Sequence, residues 1–409
     1  MRKENGRRIG KQTRGLRNED DKVWLTMGTD SMPLLYVKGL ISPEMLSRVS
    51  RMRTNSTVIP TTSYNLAKIS RIMENRHGFG GFLVHGSEAE AREFSRKVEK
   101  NCVRNQVAFD YTIDNSLVAK HLSRNIFKDN LEKIVSKLST GFVTRDFLTE
   151  EGIRASKWIK ELWEAISSKR NDINVNFFEH DPSLSNQSSI IATIEGSAEK
   201  HSIVILGAHI DSINRMWGEQ SAPGADDNAS GVSILTELLR VIVETGYVPE
   251  KTIQLMGYAA EERPSHVLGS PCCRGSRDIA LQYSNGGKNV IGALNLDMSG
   301  HKGSKQDIYI IENYANPTQN EFLEDLSKRY MPELSVGHTK CGYACSDHFS
   351  WCIENFPSSY VFESTFIDFI NHGVFHTPRD SKVEADHILK FAKLAAVYVA
   401  ELAKGSVNP

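Results

Sequence analysis

The sequence predicts an α/β protein: a mixed, largely parallel central sheet covered by helices on both faces, preceded by a small α+β unit. Three observations lead there. Ser202–Gly207 (SIVILG) is a continuous apolar run of strand length, the pattern of a strand buried on both sides. Helical periodicity follows over Ala229–Glu244, and further apolar strands recur at Thr252–Tyr258 and Asn289–Leu296. Buried strands alternating with amphipathic helices place those helices on the two sheet faces.

The remaining elements extend this pattern. Leu131–Leu138 and Glu150–Ile166 show helical periodicity, Asn174–Phe178 and Ser188–Ile194 read as strands, and helices are expected over Glu321–Tyr330 and Ala385–Leu402. Ahead of them, Lys22–Met27 (KVWLTM) and Gly81–His85 (GFLVH) read as strands. Ser87-Glu88-Ala89-Glu90 is a capping box opening a helix towards Lys100. Gln106–Ile113 alternates as another strand, and the polar Asp114, Asn115 and Ser116 suggest a linker or processing region. The expected organisation is a basic tail over 1–21, a small unit over 22–118 and a main unit over 119–409.

Composition narrows the function. With 409 residues the chain can bury a sizeable core, and 40% apolar content argues against wholesale disorder. A net charge of -1 gives no reason to expect nucleic acid as the main partner. No apolar run is long enough to span a membrane. Residues 1–20 are rich in Lys and Arg and read as a solvated tail; the rival reading is an arm for nucleic acid or a membrane surface. None of the six cysteines sits in a CxxC pair, so no structural zinc site is expected from them.

The chemistry lies where such a sheet places it, beyond the carboxyl ends of the strands. After Ser202–Gly207 come His209 and Asp211. After Thr252–Tyr258 come Glu261 and Glu262, and after Asn289–Leu296 comes Asp297. Pro223-Gly224-Ala225-Asp226-Asp227-Asn228 precedes a helix, and His376 follows late in the chain. Two imidazoles with several carboxylates and no thiolate match a hydrolytic zinc site open to water. A two-metal site further needs one bridging carboxylate and another outside the metal shell to move protons. Glu261 and Glu262 can divide such roles. Taken singly, each motif also reads as a hydrogen-bonded histidine, a solvated acidic pair or a helix cap. The residues alone leave both readings open.

GAHIDS (207–212), APGADDNASGV (222–232), YAAEE (258–262), NLDMSG (295–300), CGYACSDH (341–348) and FHTPRD (375–380) occur in one order with compatible spacing. In these six stretches the chain resembles the co-catalytic, two-zinc aminopeptidases of the bacterial leucyl aminopeptidase type, over roughly residues 125–404. The resemblance implies the zinc exopeptidase fold and two Zn2+ ions held by His209, Asp226, Glu262, Asp297 and His376, with Asp226 bridging. It implies a metal-bridged water with Glu261 as general base, Asp211 accepting the free N–H of His209, and Tyr343 donating to the oxyanion. It also implies a cis peptide bond between Asp226 and Asp227 and a disulfide between Cys341 and Cys345, where two reduced thiols are the rival. The matching pocket is Met298, Cys341, Tyr343, Cys345, Phe362, Phe366 and Phe375, apolar or aromatic, suited to a large hydrophobic first residue such as Leu. The expected partners are peptides with a free N-terminus and an activating protease, and the chain is expected to be a monomer.

Two departures stand out. Between Glu262 and Arg274 the segment RPSHVLGSPCC is several residues longer than the family's connection, compatible with a lid, an added disulfide or an irregular reading of the sequence. The family is typically secreted with a pro-segment, which residues 22–115 resemble in place and size, and yet no signal peptide opens the chain as written. Secretion of a zymogen is the expectation, with an intracellular protein as alternative. Carboxypeptidases and aminoacylases of the same scaffold need a basic pocket, which these positions do not offer. A non-catalytic module would lack the ligands.

Overall fold

The computed structural model describes residues 21–50, 56–77, 82–104, 111–182, 185–215, 220–262 and 272–407. The N-terminal unit comprises β1 (Lys22–Gly28), α1 (Met32–Val37), α2 (Pro43–Ser50), β2 (Ser56–Thr62), α3 (Ser63–His77), β3 (Phe82–His85) and α4 (Glu88–Val98). β1 is central and antiparallel to both neighbours. Val23, Leu25 and Met27 alternate inwards from it onto Ile59, Ile69, Met73, Phe82 and Val84. The capping box forms in part: Ser87 Oγ accepts from the Glu90 N–H at 3.2 Å, while the Glu90 carboxylate turns to the Gly86 N–H at 3.1 Å. The basic tail of residues 1–20 lies outside the described residues.

This unit is fastened to the rest of the chain. Cys102, in the π-turn Glu99–Arg104, is disulfide-bonded to Cys352. Lys97 pairs with Glu354 at 2.5 Å, and Asn101 donates to the Ile353 carbonyl at 2.7 Å. Leu83, Val98 and Cys102 share an apolar cluster with Phe349, Cys352 and Ile353.

Of the strand expected over Gln106–Ile113, residues 106–110 lie outside the described residues and 111–113 form no strand. Tyr111 stacks on Phe322 at 4.9 Å and donates to the Ile291 carbonyl at 3.0 Å. The Asp114 and Asn115 N–H groups donate to Glu401 at 2.9 and 2.8 Å. Residues expected to link two units are thus tied to the larger one. Helix α5 (Ser116–Arg124) runs across the boundary drawn at 118 and buries Val118, Ala119 and Leu122 in the main core.

Next come α6 (Lys128–Thr140), α7 (Glu150–Ser167), β4 (Ile173–Phe178), β5 (Ser189–Ile194), β6 (Glu199–His209), α8 (Gly231–Glu244), β7 (Tyr247–Val248), β8 (Lys251–Tyr258), α9 (Arg274–Asn285) and β9 (Asn289–Leu296). The chain ends with β10 (Ile308–Ile311), α10 (Pro317–Tyr330), β11 (Val336–Thr339), α11 (His348–Ile353), β12 (Ser358–Phe362), α12 (Phe366–His372), α13 (Ala385–Ala403) and β13 (Ser406–Val407). Eight strands form the main sheet in the order β11-β10-β12-β9-β6-β8-β5-β4. Its centre, β12-β9-β6-β8, is parallel; β10, β5 and β4 join through antiparallel pairs, and β11 pairs parallel with β10. Along β6, Val204, Leu206 and Ala208 face the core under α6, α7, α8 and α13, while Ile203 and Ile205 face α9 and Trp351 of α11. Both faces are covered, as the sequence predicts.

Candidate metal centre and active site

Helices on both faces leave the carboxyl ends of the parallel strands as the opening to solvent. β6 ends on His209, the turn after β8 carries Glu261 and Glu262, and β9 runs into Asp297. These side chains are all buried. His209 Nε2 lies 3.2 Å from Asp297 Oδ1, and His376 Nε2 lies 2.8 Å from Glu262 Oε2. Between them stands Asp227, with Oδ1 3.1 Å from His209 Nε2 and Oδ2 2.8 Å from His376 Nε2. One carboxylate therefore faces both His/carboxylate pairs.

That carboxylate is not the one the sequence reading assigned. Asp226 turns the other way: its Oδ1 accepts from the Gly300 N–H at 2.7 Å. It also hydrogen-bonds Glu363, and burial holds both carboxyls well above the ordinary carboxylate range. Asp380 sets this division by accepting both backbone N–H groups, from Asp226 at 2.9 Å and Asp227 at 3.0 Å. The cis peptide bond likewise lies one residue further on, between Asp227 and Asn228.

Asp211 also differs from its expected part. His209 Nδ1 lies 3.2 Å from the Asp211 backbone carbonyl and 3.6 Å from its carboxylate. The carboxylate instead accepts the Glu261 and Glu262 N–H groups at 3.1 and 3.0 Å, and so anchors the turn that carries both. Burial pushes the Glu261 and Glu262 carboxyls well up. Ala260, Met298 and His376 adopt left-handed backbone conformations beside these groups (φ 54°, 53° and 53°). For side-chain-bearing residues this costs roughly 1–2 kcal/mol each, which the surrounding packing must offset.

Met298, Cys341, Phe362 and Phe366 form one apolar cluster, with Tyr343, Cys345 and Phe375 packed against it. The seven expected pocket residues therefore come together, joined by Ile311, Tyr360 and Phe369. Cys341 and Cys345 are disulfide-bonded. Tyr343 packs edge-on to Phe366 at 5.8 Å, and burial raises its phenol.

The model of peptidase family M28 matches residues 189–399, about half of the chain. Leucine aminopeptidase 1 of Ajellomyces capsulatus (strain H88) is 33% identical over 332 residues, covering 78% of this chain and 81% of its own. The chain belongs to peptidase family M28. It is a peptide hydrolase of the aminopeptidase kind. Leucine aminopeptidase 1 of Arthroderma gypseum is 34% identical over 315 residues, 73% of this chain and 80% of its own. In fold, the chain is similar to LapB from Legionella pneumophila, with a TM-score of 0.72 at 23% identity over 94% of this chain and 100% of that one. A zinc aminopeptidase from Bacillus subtilis (TM-score 0.52, 16% identical) covers 68% of this chain and 96% of its own.

Several residues of this M28 centre carry no sequence signal of their own. Arg145, fully buried, donates to the carbonyls of Leu138, Ile210, Pro223 and Gly224. It thereby joins the end of β6 to the Asp226–Asp227 turn, and burial lowers its pKa only to about 10, so it stays charged. Ser346 donates to Asp297 Oδ2 at 2.6 Å. A lone Arg or Ser in a loop looks like surface.

The donor set fits cations. Asp211, Asp226, Asp227, Glu261, Glu262, Asp297, Asp347, Glu363 and Asp380 are buried about these strand ends, with the Arg145 guanidinium among them. So much buried anionic character demands either protonation or added positive charge. Among the described residues, both Glu262 oxygens lack a hydrogen-bond partner although one stands 2.8 Å from an imidazole nitrogen. A metal would satisfy them.

Proposed function

We propose that this M28 peptidase is a two-zinc aminopeptidase that releases large hydrophobic residues, leucine foremost, from peptide N-termini. His209 and Asp297 would hold one zinc and His376 and Glu262 the other, with Asp227 across both. The observation that carries this reading is the Asp227 carboxylate, each of whose oxygens faces a different histidine. When bound, the metals acidify water and polarise the scissile carbonyl.

The chain's own residues supply the rest. Glu261 lies outside the pairs described above, on a turn held by Asp211, and serves as general base, moving a proton from water to the leaving amine. Its burial favours the protonated form it must adopt midway. Tyr343 keeps its proton and donates to the developing oxyanion. The cluster of Met298, Phe362, Phe366 and Phe375 receives the first side chain. The buried carboxylates suit a free α-amine, which makes the enzyme an exopeptidase.

Three disulfides among the described residues support secretion, since such bonds persist in oxidising compartments. The N-terminal unit is read as a pro-segment. Its apolar contact includes Ala344, beside Tyr343, which supports reading it as a segment that restricts the rim.

The test is hydrolysis of leucine p-nitroanilide beside its N-acetylated form, with bound zinc measured and chelator added. The reading expects close to two zincs per chain and chelator-sensitive cleavage of the free-amine substrate alone. Cleavage of the blocked substrate at an equal rate would overturn it.

A further inference from the structure

The long connection after Glu262 brings sulfur to the active-site rim. Cys272 and Cys273 are disulfide-bonded to each other. Cys273 is buried, its Sγ 3.4 Å from Glu261 Oε1, and its N–H donates to the Glu261 carbonyl at 3.1 Å. That sulfur is fixed to the turn carrying the general base. Cys272 is half-buried, with Sγ 3.4 Å from the Ala344 carbonyl oxygen. A Glu261 carboxylate oxygen and both sulfurs lie within 4.8 Å of one another. The hydrolysis proposed above uses neither sulfur.

We propose that reduction of this disulfide creates a third cation site, in which Cys272, Cys273 and Glu261 take up Zn2+ or Cd2+ and Glu261 is withdrawn from proton transfer. The opening step is thiol–disulfide exchange with a dithiol reductant. Its thiolate attacks Sγ of the more accessible Cys272, the S–S bond breaks, and Cys273 departs as a thiol beside Glu261. The second reductant thiol then closes the reductant's own disulfide and releases Cys272. Two electrons and two protons pass to the cysteine pair. Two thiolates and one carboxylate form a three-ligand set that favours thiophilic cations, and the two thiol protons leave to solvent on binding. The effect on rate rests on Glu261 being the general base; cation uptake does not.

The experiment uses the full chain, zinc-loaded and reduced with a water-soluble phosphine, which becomes its oxide as water supplies the oxygen and the two protons. Cadmium is titrated while bound metal and the thiolate-to-cadmium charge-transfer absorption are read. A chain with Cys272→Ser and Cys273→Ser retains the other four cysteines as the control. Reduced wild type should bind one more cadmium per chain than this control, with the absorption band. Its leucine p-nitroanilide hydrolysis should fall about a hundredfold, as expected when a general base is lost. Equal uptake by the two chains would overturn the site, and an extra cadmium without loss of rate would overturn its attachment to Glu261. If Glu261→Gln retained full activity, the general-base reading would fail, while the cadmium difference would still decide the site.

Discussion

The two larger sheets among the described residues bury different things. The three-stranded sheet covers an apolar core, and Thr26 and His85 hydrogen-bond each other beside it at 3.0 Å. The eight-stranded sheet gathers buried carboxyls and two histidines beyond the ends of β6, β8 and β9. Topology explains the contrast. Parallel neighbours end on the same rim, so each delivers its next residues to one place, whereas both pairings of β1 are antiparallel and send successive ends apart. A rim crowded with carboxyls needs cations; an apolar core needs only cover. Chemistry therefore resides in one unit, and the other is placed by its attachments.

The largest effect expected from breaking this division is at the rim. Glu261→Gln should keep zinc and lower kcat by about 10²–10⁴-fold, read in steady-state kinetics with metal content alongside. A substitution at the centre of the small core, such as Leu25→Ala, should leave kcat per folded molecule unchanged and act on stability.

Arg145→Met comes next. Removing a buried cation from among carboxylates should cost roughly 3–5 kcal/mol of stability in urea unfolding. A shift below about 1 kcal/mol, the range of exposed ion pairs, would show that Arg145 does not join the β6 end to the Asp227 turn.

The attachment of the small unit is tested by cutting the chain. Cys102 lies on one side of residues 103–110 and the Glu401-bound Asp114 and Asn115 lie on the other. A protease nick within 103–110 should leave both pieces joined on a non-reducing gel and separated on a reducing one. Cys102→Ser should let the nicked pieces part without reductant.

The smallest expected effect concerns pH. Burial holds His348 and His387 neutral, with pKa lowered to about 4 in each. The unfolded chain, with ordinary histidines near 6.5, takes up protons that the folded chain refuses. Their contribution to stability is complete above about pH 6.5 and is lost as pH falls towards 4. Unfolding free energies from urea titrations should be lower at pH 5 than at pH 7, by about 2 kcal/mol for each of the two histidines. Equal midpoints would mean that these imidazoles are not buried neutral.

Much of the rim was legible in the sequence because it rests on local rules. Apolar strand runs locate β6, β8 and β9, and polar residues directly after them must lie at their ends. Which of two adjacent acids points inward is not local. Asp226 and Asp227 are alike in composition and in place before a helix; only Asp380, more than 150 positions away, turns them apart by holding both N–H groups. The Asp211 carboxylate, expected on His209, is likewise drawn to two backbone donors some fifty positions on. The Cys102–Cys352 bond, 250 positions long, left no spacing to read. Short strands such as β10 and β11, four residues each, fall below the window in which periodicity can be recognised.

The most direct test of the account is zinc content after Asp227→Asn and Asp226→Asn, measured on purified full-length protein with free zinc removed. With Asp227 facing both histidines and Asp226 bound to Gly300 and Glu363, Asp226→Asn should retain close to two zincs per chain. Asp227→Asn should retain at most one, with activity lost. Retention of both zincs in Asp227→Asn, together with their loss from Asp226→Asn, would contradict it.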